Sequence, residues 1–303
     1  MWNLKTSMSI KNKLTLLLIL CFSGMVKSQN MDIGILAGGS YYYGDVVNSL
    51  DVKSIGPSFG GFIRYRLGQR LALRAFAGYA RVQGDDANST SDWQIARNWN
   101  FQSTIIEGSL IAEFNLKADR NKGRRFVNPL IPYIFGGIGF FTFDPKTNVN
   151  GTFISTAPLK LSGISYSTSA ICVPIGLGFR YYMSKRFQLG FELGARYTTT
   201  SYIDDIAPDN RYVDPSITTD PAITRLIYSR STADKNIGDF RSKMGAPKVS
   251  YGSGFVNKLI QNSDFYFMYG LTASYTLGKV SGGGSRGGRG GASGKPIRCP
   301  RFY

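Results

Sequence analysis

Paired aspartates, the two cysteines beyond residue 28, an arginine–glycine run and scattered charges in alternating segments are the groups here that could do chemistry. Asp204-Asp205, followed by Asp209, Asp214 and Asp220, could offer oxygen ligands to calcium. Their spacing matches no calcium loop, so a solvated acidic loop is the simpler reading, and Asp85-Asp86 reads the same way. The chain contains no histidine, which removes Ser-His and Cys-His nucleophiles and imidazole-ligated metals. Cys172 lies in an apolar segment and reads as structural, whereas Cys299 lies four residues from the end. After export both would meet an oxidising compartment. Cys299 then has two readings, a disulfide to another protein or an inert thiol. Arg286-Gly287-Gly288-Arg289-Gly290-Gly291 has the composition of a nucleic-acid-binding segment. An exported chain meets no RNA, so the run reads as a flexible tether. No cofactor, metal or nucleic acid is expected.

The elements that must position these groups are eight stretches in which apolar and polar residues alternate. The seventh shows the pattern best: Phe187, Leu189, Phe191, Leu193, Ala195 and Tyr197 share one face, and Gln188, Gly190, Glu192, Gly194 and Arg196 the other. Alternation over about ten residues is what a transmembrane β-barrel strand needs, one face to lipid and one to the lumen. It also reconciles a mean hydropathy of −0.12 with a membrane location. The predicted strands are 31–43, 57–67, 70–82, 101–116, 131–143, 169–182, 186–200 and 265–278. Strand five has ambiguous parity, because Phe and Ile occupy both faces among glycines. Pro174 interrupts the ladder of strand six and would mark a bulge. Asp144–Thr168 reads as a loop. Tyr41, Tyr65, Tyr79, Tyr133, Tyr181, Tyr197 and Tyr275 suit the aromatic girdles at the two interfaces.

The connections alternate long, short, long, medium, long, short, long. Bacterial barrels place short turns in the periplasm and long loops outside, and an even strand number puts both termini on the periplasmic side. The expected fold is therefore all-β: an eight-stranded up-and-down antiparallel barrel of the outer-membrane type with a disordered C-terminal tail. Residues 1–28 read as a signal peptide, with Lys11 and Lys13 before the apolar run Leu14–Phe22 and a Val26-Lys27-Ser28 cleavage site. Met8 would start a tidier signal than Met1, and Leu20 before Cys21 is too large for a lipobox. The barrel spans 29–279, and 280–303 is a flexible Gly/Arg-rich periplasmic tail.

The whole chain has 36 basic and 19 acidic residues. Removing 1–28 takes four lysines and no acid, leaving 32 against 19, net +13. The excess gathers on the periplasmic side, in Lys117, Arg120, Lys122, Arg124 and Arg125, and in the tail, which ends with Arg298, Cys299 and Arg301. These segments are either solvated or a docking surface for an acidic partner. An eight-stranded barrel is just wide enough to be filled by its own side chains. Parity points Arg64, Arg74, Glu107, Glu113, Glu192 and Arg196 inward, where opposite charges would pair into a plug.

Several stretches, in order, carry a resemblance. They are Gly38-Gly39-Ser40-Tyr41-Tyr42-Tyr43-Gly44-Asp45, Tyr133–Phe141 leading into Phe143-Asp144-Pro145-Lys146, Pro174–Gly178, Tyr202-Ile203-Asp204-Asp205, Tyr212-Val213-Asp214-Pro215 and the Cys-Pro-Arg-Phe ending. Together they resemble the PorG family of outer-membrane barrels in the type IX secretion system. The Gly/Arg insertion before Cys299 and Ile206-Ala207 depart from its pattern. The resemblance implies a non-enzymatic anchor that ties a periplasmic ring, a PorK-like lipoprotein and a PorN-like companion, to the outer membrane. Lipid-modifying barrels rely on histidine, which this chain lacks. The alternatives are a surface-binding or adhesion barrel using 201–264, and a small-solute pore. No small-molecule substrate is expected.

Overall fold

The computed structural model describes residues 31–44, 46–47, 52–90, 92–119, 129–161, 163, 165–206, 215–230 and 264–277. The signal peptide and tail predicted at 1–28 and 280–303 lie outside them. The strands are β1 (Met31–Tyr43), β2 (Gly56–Arg66), β3 (Leu71–Asp85), β4 (Asn100–Asn115), β5 (Leu130–Val149), β6 (Thr152–Ser155), β7 (Ser169–Tyr182), β8 (Phe187–Thr198) and β9 (Phe265–Leu277). Each pairs antiparallel with its neighbours, and the β4–β5 pairing closes the ring, with β6 hung outside it on the end of β5. Eight strands thus form a closed barrel. Closure satisfies every edge, which an open sheet inside hydrocarbon could not do.

The register fixes the stagger. Starting at Met31 and stepping through successive Cα partners leads to Tyr65, Leu73, Ala112, Gly136, Ile175, Ala195, Phe267 and back to Tyr41 on β1. The circuit closes ten residues further along the starting strand, so the strands tilt about the barrel axis. Tight turns at 67–70 and 183–186 share one end with Met31 and Leu277, which are partners in the β1–β9 ladder. The long connections share the other end. The two ends are called here the turn end and the rim.

Outward residues are apolar and bare. Ile35 is 62 % exposed, Leu110 67 % and Leu271 70 %, and similar residues ring the whole circumference. An apolar belt of that extent has no aqueous explanation and fits a lipid contact. The belt ends sharply. Along β3 the last apolar outward residue is Tyr79, followed by Arg81, Gln83 and Asp85; along β5 Phe140 is followed by Thr142, Asp144 and Lys146.

That switch accounts for the largest departure from the sequence reading. Asp144–Thr168 is not all loop, because β5 continues to Val149 and turns back through β6. Its inward residues Phe143, Pro145, Thr147 and Val149 stay buried. Its outward residues become polar because they stand above the belt, where a sheet faces water. A polar outer face looked like loop composition. β3 overruns its predicted end for the same reason.

The parity of β5 is settled. Ile131, Tyr133, Phe135, Phe141 and Phe143 face in, and Ile134, Ile138 and Phe140 face out. Tyr133 is therefore lumenal and no girdle residue. Tyr41 is also buried, at 6 % exposure, because the rim packs over the upper end of β1. Pro174 does interrupt the ladder: β5 and β7 pair at Gly136↔Ile175 and resume at Gly139↔Cys172. The register is the same on both sides of the gap, so there is no bulge.

Candidate functional site

The interior is built from the inward positions of all eight strands. Small residues make the room: a Cβ on Gly34 would come within 2.4 Å of Phe62, and one on Gly78 within 2.5 Å of Phe76. Rings beside the charges support them. The Arg64 guanidinium sits 4.8 Å from the centre of Phe62, and Arg74 lies 5.1 Å from that of Phe135.

The charges form three tiers. In the middle one, Glu113 takes Arg64 at 2.8 Å, Arg180 at 2.8 Å and Arg74 at 3.2 Å. Arg74 also grips Glu192 with two bonds, 2.5 and 2.9 Å, and the Tyr133 hydroxyl donates to the same carboxylate at 2.9 Å. Towards the turn end, Arg66 meets Asp32 at 3.0 Å and Asp119 at 3.6 Å, and the Tyr182 hydroxyl donates to Asp119 at 2.5 Å. Towards the rim, Arg196 and Tyr266 both donate to Glu107, at 3.2 and 3.0 Å. The six residues expected in the lumen are all there and all paired. Asp32, Arg66, Asp119 and Arg180 complete the network. These four were missed in the sequence analysis; parity is the signal that would have found Asp32, Arg66 and Arg180, since each shares its strand's inward face, whereas Asp119 lies beyond β4 and carries no such signal.

Among the described residues the lumen holds five arginines (Arg64, Arg66, Arg74, Arg180, Arg196) and five carboxylates (Asp32, Glu107, Glu113, Asp119, Glu192), all nearly inaccessible. Equal numbers are what burial demands, because an unmatched charge inside a hydrocarbon-wrapped cylinder carries a desolvation penalty of several kcal/mol. Above the charges lies an apolar tier that includes Tyr42, Phe101, Ile105, Phe141 and Phe143.

The rim is folded over this tier. The Tyr42 hydroxyl lies 2.8 Å from Asp204 and 2.8 Å from Asp264, tying the two ends of the longest connection to β1. Asp264 also accepts from the Ile203 amide at 3.0 Å, and the Trp99 indole donates to the Asp204 carbonyl at 3.2 Å. Asp86 is held by Arg97 through two 2.6 Å bonds and by the Trp99 amide. Arg97 closes a short helix, α1 (Asp92–Arg97). Burial pushes the Asp86 carboxyl above the usual carboxylate range, against the lowering by Arg97. Tyr166 stacks on Tyr202 at 4.3 Å and donates to Asp205. Burial, then the Asp205 charge and that hydrogen bond, push its phenol well above the usual tyrosine range. A second helix, α2 (Pro221–Ser229), is capped by Asp220.

The acidic pairs are therefore not solvated loops. Asp86 and Asp204 are fully buried and Asp205 nearly so; only Asp85, which caps a turn through the Ala87 amide, stays partly open. Asp204 and Asp205 find partners on other elements, Tyr42 and Tyr166, whereas Asp86 is covered from within its own connection by Arg97 and Trp99. Asp209 and Asp214 lie outside the described residues. Among the described residues no group of three or more His, Cys, Asp or Glu could hold a metal.

Of the expected docking residues, Lys117 is exposed at the turn end. Arg120, Lys122, Arg124, Arg125, Arg298, Cys299 and Arg301 lie outside the described residues. The exposed Arg70, Lys185 and Arg186, which the sequence analysis did not count, stand at the same end. Cys172 is buried in the lumen wall.

A family model described as Domain of unknown function (DUF6089) matches residues 11–216. No curated protein matches the sequence. Solved structures similar to the chain include the N-terminal β-barrel domain of Pseudomonas aeruginosa OprF, at 13 % identity and TM-score 0.33, covering 82 % of this chain and 97 % of that one. Neisserial surface protein A is similar at 11 % identity and TM-score 0.37, covering 82 % and 97 %. Ail, the attachment invasion locus protein of Yersinia pestis, is similar at 10 % identity and TM-score 0.35, covering 82 % and 98 %. At such low identity and score these likenesses carry no weight, and the barrel assignment rests on the closed register.

Proposed function

We propose that this chain, which belongs to the DUF6089 family, is a non-enzymatic outer-membrane anchor of the type IX protein secretion machinery. In this reading the rim faces outward, both termini are periplasmic, and the turn end holds a periplasmic ring of PorK-like lipoprotein and PorN-like protein. The observation that carries it is a closed barrel, apolar outside and filled inside by a neutral ion-pair network. Such a body is a rigid post, and its lumen is occupied by side chains of the described residues, which counts against the pore reading. The turn end supplies the grip. Arg70, Lys117, Lys185 and Arg186 are exposed there, while Asp32 and Asp119, the acids of that end among the described residues, are buried. A surface of one sign steers and holds an acidic partner. The PorG-like order of motifs supports the specific machinery.

The test is co-purification from outer membranes with mass spectrometry. The two ring proteins should accompany the intact chain and be lost when 280–303 is deleted; ring proteins absent from the intact chain's preparation would sink the reading. On non-reducing gels a high-mass band should vanish in Cys299→Ser, and an unchanged pattern would remove the disulfide lock. The second reading, an adhesion barrel using 201–264, draws on the exposed Leu226 of α2. It requires that deleting that loop abolish surface capture while secretion continues.

A further inference from the structure

A polar cleft of about 220 Å³ opens on the outer wall of the barrel, not inside it, where β3, β4, β5 and β6 rise above the apolar belt. Five amides line it, those of Gln83, Asn88, Asn100, Gln102 and Asn148, beside the ring of Phe153, which is 48 % exposed. Its charges are one of each sign, Lys53 and Asp85, and Lys53 spans to Asn88 at 3.2 Å. The walls are pre-set. Gln83 donates to the Lys53 carbonyl at 3.0 Å, and Asn100 accepts from Thr147 at 3.0 Å and from the Asn148 amide at 2.9 Å. The Gln102 amide, by contrast, has no hydrogen-bond partner among the described residues.

The height of the cleft identifies what it meets. On β3 the belt ends at Tyr79 and on β4 at Ile106, each four residues from a cleft residue, Gln83 and Gln102. Four residues at a rise of about 3.3 Å, on strands tilted by about 40°, place the cleft about 10 Å above the hydrocarbon. The headgroup layer occupies roughly 5–8 Å on each side of a bilayer, so the cleft stands just above the phospholipid headgroups, at the height that a larger, sugar-bearing headgroup reaches. Amides that both donate and accept, with little net charge and one open aromatic face, suit a polyhydroxylated ligand: hydroxyls for the amides, a C–H face for the ring. We propose that this cleft binds the saccharide headgroup of a membrane glycolipid. The inference rests on the membrane-spanning reading above, not on the secretion role.

The test uses the full chain in phospholipid nanodiscs. One arm measures retention of lipopolysaccharide by the nanodisc-bound protein. The other measures anisotropy of a fluorescently labelled oligosaccharide released from the same lipopolysaccharide. Saturable retention is expected, at least tenfold weaker in the Gln102→Ala/Phe153→Ala double variant and unchanged in Leu226→Ala, which lies outside the cleft. Heat-modifiable gel migration verifies that each variant is folded. Binding of the free oligosaccharide without retention of the glycolipid would overturn the lipid-borne source. Equal retention in the double variant, or no saturable binding in either arm, would overturn the site. Failure to enter nanodiscs would sink the membrane reading itself, whereas entry without binding sinks only the cleft.

Discussion

The membrane-level barrel and the rim above it bury carboxylates by different means. At membrane level every acid faces an arginine, five against five, and the tiers are linked so that Glu113 alone meets three cations. At the rim one acid, Asp86, has an arginine of its own, Arg97, while Asp204 and Asp264 bond to a phenol and backbone amides, and Asp205 to Tyr166. The surroundings explain the contrast. A lumen wrapped in hydrocarbon has no water at its walls to share charge, so neutrality must be built in. The rim has water close by, and its acids serve to pin long connections to β1. The barrel is held by a balanced network of ion pairs, the rim by the single Asp86–Arg97 pair and by hydrogen bonds across loops.

The largest expected effect lies in the barrel. Glu113→Ala leaves Arg64, Arg74 and Arg180 facing one another, and should lower stability by about 3–5 kcal/mol, read as a shift in the urea midpoint of the detergent-solubilised protein. A loss under 1 kcal/mol would mean that water already screens the tier. Next is the belt. Leu110→Arg at mid-wall should lower stability in a bilayer by about 2–4 kcal/mol, against about 0–1 for Thr142→Arg just above the belt edge. Equal effects would erase the boundary between the two regions.

The rim should respond more locally. Tyr42→Phe removes the hydroxyl between Asp204 and Asp264, leaving buried acceptors short of a donor at a loss of about 1–3 kcal/mol. Limited proteolysis should then cut between 199 and 264 faster, while the barrel's unfolding midpoint stays put. A moved midpoint would show that the two regions unfold as one. The smallest effect is alkaline. The closed rim keeps the Tyr166 proton well above the ordinary tyrosine pKa of 10.0, so an opened rim releases it first. Closure should therefore weaken as pH rises past about 10, by at most about 1.4 kcal/mol per unit and less with solvent screening. Hydrogen exchange of the 165–206 segment would show the slope, and Tyr166→Phe should flatten it.

Legibility in the sequence followed the same division. Eight strands and the inward placement of Arg64, Arg74, Glu107, Glu113, Glu192 and Arg196 followed from period-two alternation alone. Where the outer face turned polar, at Thr142–Asn148, alternation no longer looked apolar and a strand passed for a loop. Tyr133 and Tyr41 misled because a tyrosine suits an interface and a filled lumen equally. The aspartates of the rim looked solvated because nothing adjacent in the chain covers them.

Alternation is a property of neighbouring residues, so the sequence by itself determined the barrel, its belt and which charges turn inward. Only the tertiary structure decided who meets whom. Arg196 finds Glu107 across 89 residues, and Tyr42 finds Asp264 across 222. Such contacts exist only once the ring has closed with its ten-residue stagger. A stagger longer or shorter by two residues would leave every side chain on the same face and give each charge a different neighbour, because facing is set along one strand and partnering is set by the circuit around them all.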